Sequence, residues 1–142
     1  MSGVYIPESL RQKIAKDAAY RCGYCLTMQE FTAMPMHIEH IIPLAAGGET
    51  IEDNLWLACP LCNGHKATKT EGFDPDTGRT VLLFNPRQQD WREHFGWVSG
   101  GIEIIGITSI GRATVNALNL NNKYLVRARR RWVLAGWHPP EL

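Results

Sequence analysis

The sequence predicts an α+β protein: a small unit of two strands and a helix, stapled through four cysteines, over residues 1–72. A C-terminal α/β extension, 73–142, is expected to pack on that core. Three observations carry this reading. The pairs Cys22-x-x-Cys25 and Cys59-x-x-Cys62 bracket 33 residues. Two apolar runs and a glycine-containing loop lie between them. A turn cluster, "FDPDTGRT" at 73–80, then separates two regions of different charge.

The elements follow in order. Pro7 and "ESLRQKIAKDAAY" predict a helix, because Leu10, Ile14 and Ala18 recur at intervals of four behind a proline suited to a first turn. It leads into the first knuckle, "RCGYC", where Gly23 permits a tight turn. Residues 35–42 predict a short strand stopped by Pro43. "AAGGETIEDN" is a polar loop, and "LWLA", 55–58, a second strand entering the second knuckle. From Pro60, "PLCNGHKATKTEG" predicts a short helix ended near Gly72. Beyond the turn cluster come a strand at "TVLLF" and a short helix around "QQDWREHF". A hairpin turning at Gly100-Gly101 and two helices near 109–119 and 122–135 complete the chain. On the last helix Leu125, Ala128, Trp132 and Ala135 form an apolar stripe, with Arg127, Arg130 and Arg131 off it. Trp91, Trp97, Trp132 and Trp137 are expected in the core of the second half.

The chain has 142 residues and 44% hydrophobic content, which fits one domain, or a small domain with an extension, and argues against disorder. No apolar run approaches the roughly 18 residues of a membrane span. The N-terminus, "MSGVYIPESLRQKIAKD", is charged and amphipathic, without a signal-peptide core. A cytoplasmic protein is expected, with no membrane association and no obligate protein partner. The net charge of +1 conceals an asymmetry: residues 1–71 carry −2 and residues 72–142 carry +3, with four arginines in "VRARRRW". That distribution permits an anionic partner held by the second half.

In a reducing compartment disulfides are disfavoured. Each knuckle can place two thiolates on one tetrahedral Zn²⁺, so a structural zinc on Cys22, Cys25, Cys59 and Cys62 is expected. A thiol redox protein is the weaker reading of the same cysteines.

The stretch "MHIEHIIPLAAGG", 36–48, crowds His37, Glu39 and His40 against Ile41-Ile42. Burying three ionisable groups without partners is costly, so the crowding points to a ligand, most simply a metal ion. A zinc joining the knuckles would pin the start of the hairpin against the start of the following helix. Glu39 and His40 would then approach Asn63. Adjacent strand residues point to opposite faces, so these two share a site only if the strand ends or twists there, as Pro43 permits. His37 is open to either a metal or a surface role, and His65 is read as solvent-facing.

The motifs "CGYC", "IEHIIPLAAGG", "DNLWLACPLCN" and Lys66 together resemble the HNH endonucleases, which have a ββα-metal fold; the resemblance spans roughly residues 20–70. It implies a stand-alone, four-cysteine zinc variant of the bacterial type that hydrolyses DNA. It further implies His40 as the general base activating water, and Glu39 and Asn63 as ligands of a catalytic divalent metal. Asn63 stands where many relatives have the final His. Asn54 is implied as the middle Asn that ties the loop and orients the base.

These roles make chemical sense. Histidine suits a base near neutral pH. A carboxylate with an amide oxygen suits Mg²⁺ or Mn²⁺. Lys66, one turn after Asn63, is expected to contact phosphate, and Arg127, Arg130 and Arg131 to contact DNA. The competing reading is a non-catalytic, zinc-containing nucleic-acid-binding module. "LLFNPRQQDWREHFGW", "GITSIGRATVNALNLNN" and "RARRRWVLAGWHP" are similar to a segment that follows the motif in many such proteins, with no chemistry assigned to it.

Overall fold

The structure is a computed structural model that describes residues 4–142; residues 1–3, which open the expected first domain, lie outside the described residues. Helices and short two-stranded sheets are mixed along the chain, as an α+β reading requires. Two compact units emerge. One comprises the chain up to Thr70 together with Asn85–Gln88, the other Glu71–Phe84 and Gln89–Leu142.

In the first unit, helix α1 (Glu8–Asp17) starts behind Pro7, with Glu8 complementing the positive end of the helix. Its Ile14 is fully buried in a small core with Ile6 and Leu55, flanked by Val4, Leu10 and Ile38. The helix ends before Tyr20, because Ala19 and Tyr20 take left-handed φ values of 53° and 59° that turn the chain into the first knuckle. A single helical turn, α2 (Gln29–Thr32), follows; sequence pattern did not reveal it.

Strand β1 (His37–His40) pairs antiparallel with β2 (Leu55–Ala58), setting Ile38 opposite Leu57 and Glu39 opposite Trp56. It is shorter than the expected 35–42, because Ile41 and Ile42 already bend ahead of Pro43. Helix α3 (Pro60–Lys66) has Cys59 at its N-cap, accepting from the Cys62 amide, and Pro60 in its first turn. It stops at Ala67, where φ turns positive at 49°, short of the expected Gly72. Helix α1 packs on β2 and α3 on β1, so the hairpin carries a helix against each strand. The segment Asn85–Gln88 joins this unit through Arg87. Its guanidinium donates to the Leu55 carbonyl and lies 4.9 Å from the centre of the Trp56 ring.

In the second unit, the expected turn cluster, 73–80, is the tip of a hairpin, with its first two and last two residues in strands. Strand β3 (Glu71–Asp74) pairs with β4 (Arg79–Leu82) across a turn in which Gly78 has φ +73°. Asp74 makes this possible. Fully buried, it accepts from Arg112 at 2.9 and 3.0 Å, from Thr77 and Ser109 hydroxyls, and from the Asp76 amide. Helix α4 (Trp91–His94), capped by Asp90, leads into hairpin β5 (Phe95–Val98) and β6 (Glu103–Gly106). Helix α5 (Ser109–Leu118) is capped by Thr108, and α6 (Lys123–Leu134) by Asn122. Gly111 lets α5 approach closely, since a Cβ there would collide with the His94 carbonyl oxygen.

Trp91 and Trp132 are buried and Trp97 is half-buried, but Trp137 is 58% exposed, which corrects its assignment to the core. It lies just beyond the end of α6, past the last turn whose inward face the stripe defines. Among the described residues no helix is long and apolar enough to cross a membrane.

One member of the basic run is not on the surface. Arg129 is fully buried, donating to the carbonyls of Ile102 and Leu120 and to Asn121 Oδ1, with Trp97 beside its guanidinium. Arg129→Met should therefore cost roughly 2–4 kcal/mol, since it strands buried carbonyls. Exposed Arg130→Gln should stay within about 0.5 kcal/mol in a urea unfolding series. A second expectation concerns acid. Arg112 holds the Asp74 carboxyl below the usual carboxylate range. Its contribution to stability is thus full at neutral pH and is lost as the pH falls below the unfolded value of roughly 3.9. Asp74→Asn should lower the melting temperature at pH 7 and make its fall under acid shallower than in wild type.

Candidate zinc site and catalytic groove

The candidate zinc site is built from two turns that the hairpin brings together. Gly23 of the first knuckle donates to the Leu57 carbonyl of β2 at 2.9 Å. It must be glycine, because a Cβ there would run into the Trp56 ring. The second knuckle is the N-terminus of α3. All four thiols are free and buried, and their sulfurs lie within 4.8 Å of one another. The Cys25 and Cys59 sulfurs are 3.7 Å apart. Four thiolates at about 2.3 Å from a tetrahedral zinc are separated by about 3.8 Å, so the cluster has the dimensions of a Cys₄ zinc site.

Its electrostatics agree. Burial pushes the Cys22 thiol well above its ordinary range, and neighbouring thiols push Cys62 up, while hydrogen bonds from Cys22, Cys59 and Cys62 draw Cys25 down. A divalent cation is what permits four thiolates together. The Tyr24 and Cys62 amides point at Cys22 and Cys59 sulfurs, and Thr27 lies 3.1 Å from Cys25, supplying an outer layer of hydrogen bonds.

Glu39, His40 and Asn63 line one groove of about 470 Å³ with Pro43, Leu44 and Thr68. The strand ends at His40, so neighbours that would ordinarily point apart reach the same groove. His40 is half-buried. Its Nε2 lies 2.9 Å from the Thr50 hydroxyl oxygen, and burial, then the Lys66 charge, push its imidazole below the ordinary histidine range. The ring is consequently neutral, and able to accept a proton, at neutral pH. Asn63 is half-buried, with a side-chain amide that makes no hydrogen bond among the described residues.

Asn54 closes the loop. Its Oδ1 accepts from the Ile42 amide at 2.8 Å, while Nδ2 donates to the carbonyls of Ile42 and Glu49 at 2.9 and 2.8 Å. Gly48 sits inside this clamp, where a Cβ would collide with the Ile42 carbonyl oxygen. His37 is exposed and outside the groove lining, and His65 is half-buried on α3.

Lys66 departs from the expected phosphate contact. It is 1% exposed, and its ammonium donates to the carbonyls of His40 and Ile41 and pairs with Glu39 Oε1 at 3.0 Å. Helix α3 carries Lys66 on the face turned to β1, so its charge is spent inside the protein. Burial raises the Glu39 carboxyl, against the opposing effects of Lys66 and the Tyr24 hydroxyl. Glu39 Oε2 is buried without a hydrogen-bond partner of good geometry among the described residues. A carboxylate oxygen outside the Lys66 pair and the Asn63 amide oxygen, from two residues of one groove, form a sparse, hard donor set that fits Mg²⁺ or Mn²⁺. Sequence reading missed Thr50 and Tyr24; the nearest signal for Thr50 was its place between the double glycine and Asn54.

The family comparison matches this region. Residues 22–69 match the model of the HNH endonuclease family, and the four clustered cysteines fit its four-cysteine variant. Such a domain indicates a nuclease or nucleic-acid-binding role. No curated protein and no solved structure matches the chain.

Two outcomes test the site. The purified chain should carry one zinc by elemental analysis, and Cys59→Ser or chelation should lower its melting temperature, because a closed thiolate site contributes directly to folding. Lys66→Ala should cost roughly 3–5 kcal/mol in chemical denaturation, since it leaves a buried carboxylate unpaired; a lysine serving only as a phosphate contact would leave stability unchanged.

Proposed function

We propose that this protein is a divalent-metal-dependent endonuclease that hydrolyses DNA phosphodiester bonds. The observation that carries the reading is the convergence of His40, Glu39 and Asn63 on one groove beside the zinc cluster. His40 accepts a proton from water. The water oxygen forms a bond to phosphorus as the opposite phosphorus–oxygen bond breaks, and the leaving oxygen takes a proton from solvent. Glu39 and Asn63 would hold the catalytic cation through their side-chain oxygens. When bound, that cation neutralises charge developing on the phosphate and leaving oxygen. Asn54 keeps the loop beside the base closed and so helps to orient the base. Zinc is structural.

Conversion of supercoiled plasmid to nicked or linear DNA with Mg²⁺ or Mn²⁺ is the test. His40→Ala should lose cleavage while keeping DNA affinity and melting temperature, because a base acts mainly in the transition state. Glu39→Ala should raise the Mg²⁺ concentration needed. If wild type binds DNA but cuts in neither metal, the chain is a zinc-stapled nucleic-acid-binding module instead.

Arg127, Arg130 and Arg131 are exposed on α6, and we assign them to phosphate contacts. On duplex DNA log affinity falls with log salt by about 0.9 per contact, so replacing all three with Gln should flatten the slope by roughly 2–3. Filter binding with His40→Ala protein across a salt series measures it. An unchanged slope would make α6 a solvated face only.

A further inference from the structure

One polar side chain beside His40 has no part in the reading above. Thr50 lies in the loop between β1 and β2, on neither strand and with no oxygen in the groove lining. Yet its hydroxyl stands 2.9 Å from His40 Nε2. The loop does not hold it there casually. Gly47, in the left-handed region at φ +89°, and Gly48, packed on the Ile42 carbonyl, bring the chain back toward the strand end. The Glu49 carbonyl is then pinned by Asn54 Nδ2, and Thr50 is the next residue.

We propose that Thr50 is the positioning residue of the base: its hydroxyl oxygen accepts from His40 Nε2–H, fixing the tautomer in which Nδ1 is the free, proton-accepting nitrogen. This rests on the hydrolytic reading only for its effect on rate. Nδ1 makes no hydrogen bond among the described residues, whereas Nε2 is already engaged, so only this tautomer leaves a lone pair for water. In the reverse arrangement the Thr50 hydroxyl would donate to Nε2, and Nδ1 would carry a proton and be useless as a base. Which ring nitrogen bears the proton is set by the bond the other makes. The double glycine and Asn54 thereby acquire a purpose beyond closing a loop, since both aim one hydroxyl at one ring.

The test uses the full zinc-loaded chain and two readouts. The first needs no activity: nitrogen-15 shifts of the His40 ring near pH 8. They should show a protonated Nε2 and an unprotonated Nδ1 in wild type and Thr50→Ser, and a shift toward mixed tautomers in Thr50→Val. The second is the plasmid-cleavage rate at saturating DNA and Mg²⁺. Thr50→Val should lower it about 10–100-fold, the usual weight of a supporting hydrogen bond to a site ligand, with the half-saturating DNA concentration and melting temperature unchanged. Thr50→Ser should recover most of that loss. Should Thr50→Val fail to fold, Thr50→Ala removes the hydroxyl with less crowding and is read the same way. A protonated Nδ1 in wild type overturns the proposal, as does an unchanged tautomer in the variants that lack the hydroxyl. A cleavage rate within twofold of wild type in those variants overturns it too. A wild type inert toward DNA instead overturns the endonuclease reading, and the ring shifts then decide the part of Thr50 on their own.

Discussion

The four-thiol cluster is the constraint on which the first unit depends. Its cysteines come from two turns 33 residues apart, and everything that forms the groove lies between or just after them. The core beneath the hairpin is small, centred on Ile6, Ile14 and Leu55. A domain this size buries too little apolar surface to hold such a hairpin firmly, which is why small folds so often recruit a metal. Joining Cys22 and Cys25 to Cys59 and Cys62 docks the first knuckle on β2 and starts α3 in the same place. Asn63 and Lys66 are then carried to β1 as a consequence.

Around that staple, buried charge is handled by pairing. Glu39 would be hard to ionise in its surroundings, and Lys66 offsets much of that difficulty while also satisfying two carbonyls at the strand end. Only one carboxylate oxygen is committed to the pair. The other stays outside that ion pair, on a residue that also lines the groove. The second unit uses the same device twice. Asp74 with Arg112 secures the β3–β4 turn, and Arg129 closes off the carbonyls of Ile102 and Leu120. Neither belongs to any groove chemistry, and both show that a basic run or an Asp-rich turn has to be read residue by residue.

Local signals in the sequence carried far. Spacing of the cysteines pointed to the cluster that the fold assembles, proline and apolar periodicity placed α1 and α3, and the "IEH" crowding marked two residues that line one groove. The errors have local causes too. Residues 73–80 look like turn throughout because Asp74, Pro75 and Gly78 are turn formers, yet a hairpin needs turn formers at its own tip. The strand 35–42 was drawn too long because apolar content alone does not reveal where a chain bends.

What the sequence by itself determined, then, is the order of elements, the caps that start the helices, and which residue types could meet at one metal. Those depend on interactions over a few residues, or on spacing, and are written in the chain. Only the tertiary structure decided where Lys66, Arg129, Trp137 and Thr50 went. A cation is drawn inside wherever the fold leaves a carboxylate or carbonyls unpaired, and a hydroxyl matters only if a distant ring arrives beside it. Lys66 and Arg131 both sit in the last turn of a helix, yet one is sealed against Glu39 and the other faces water. The difference lies in the partners across the fold, which no window of neighbouring residues contains.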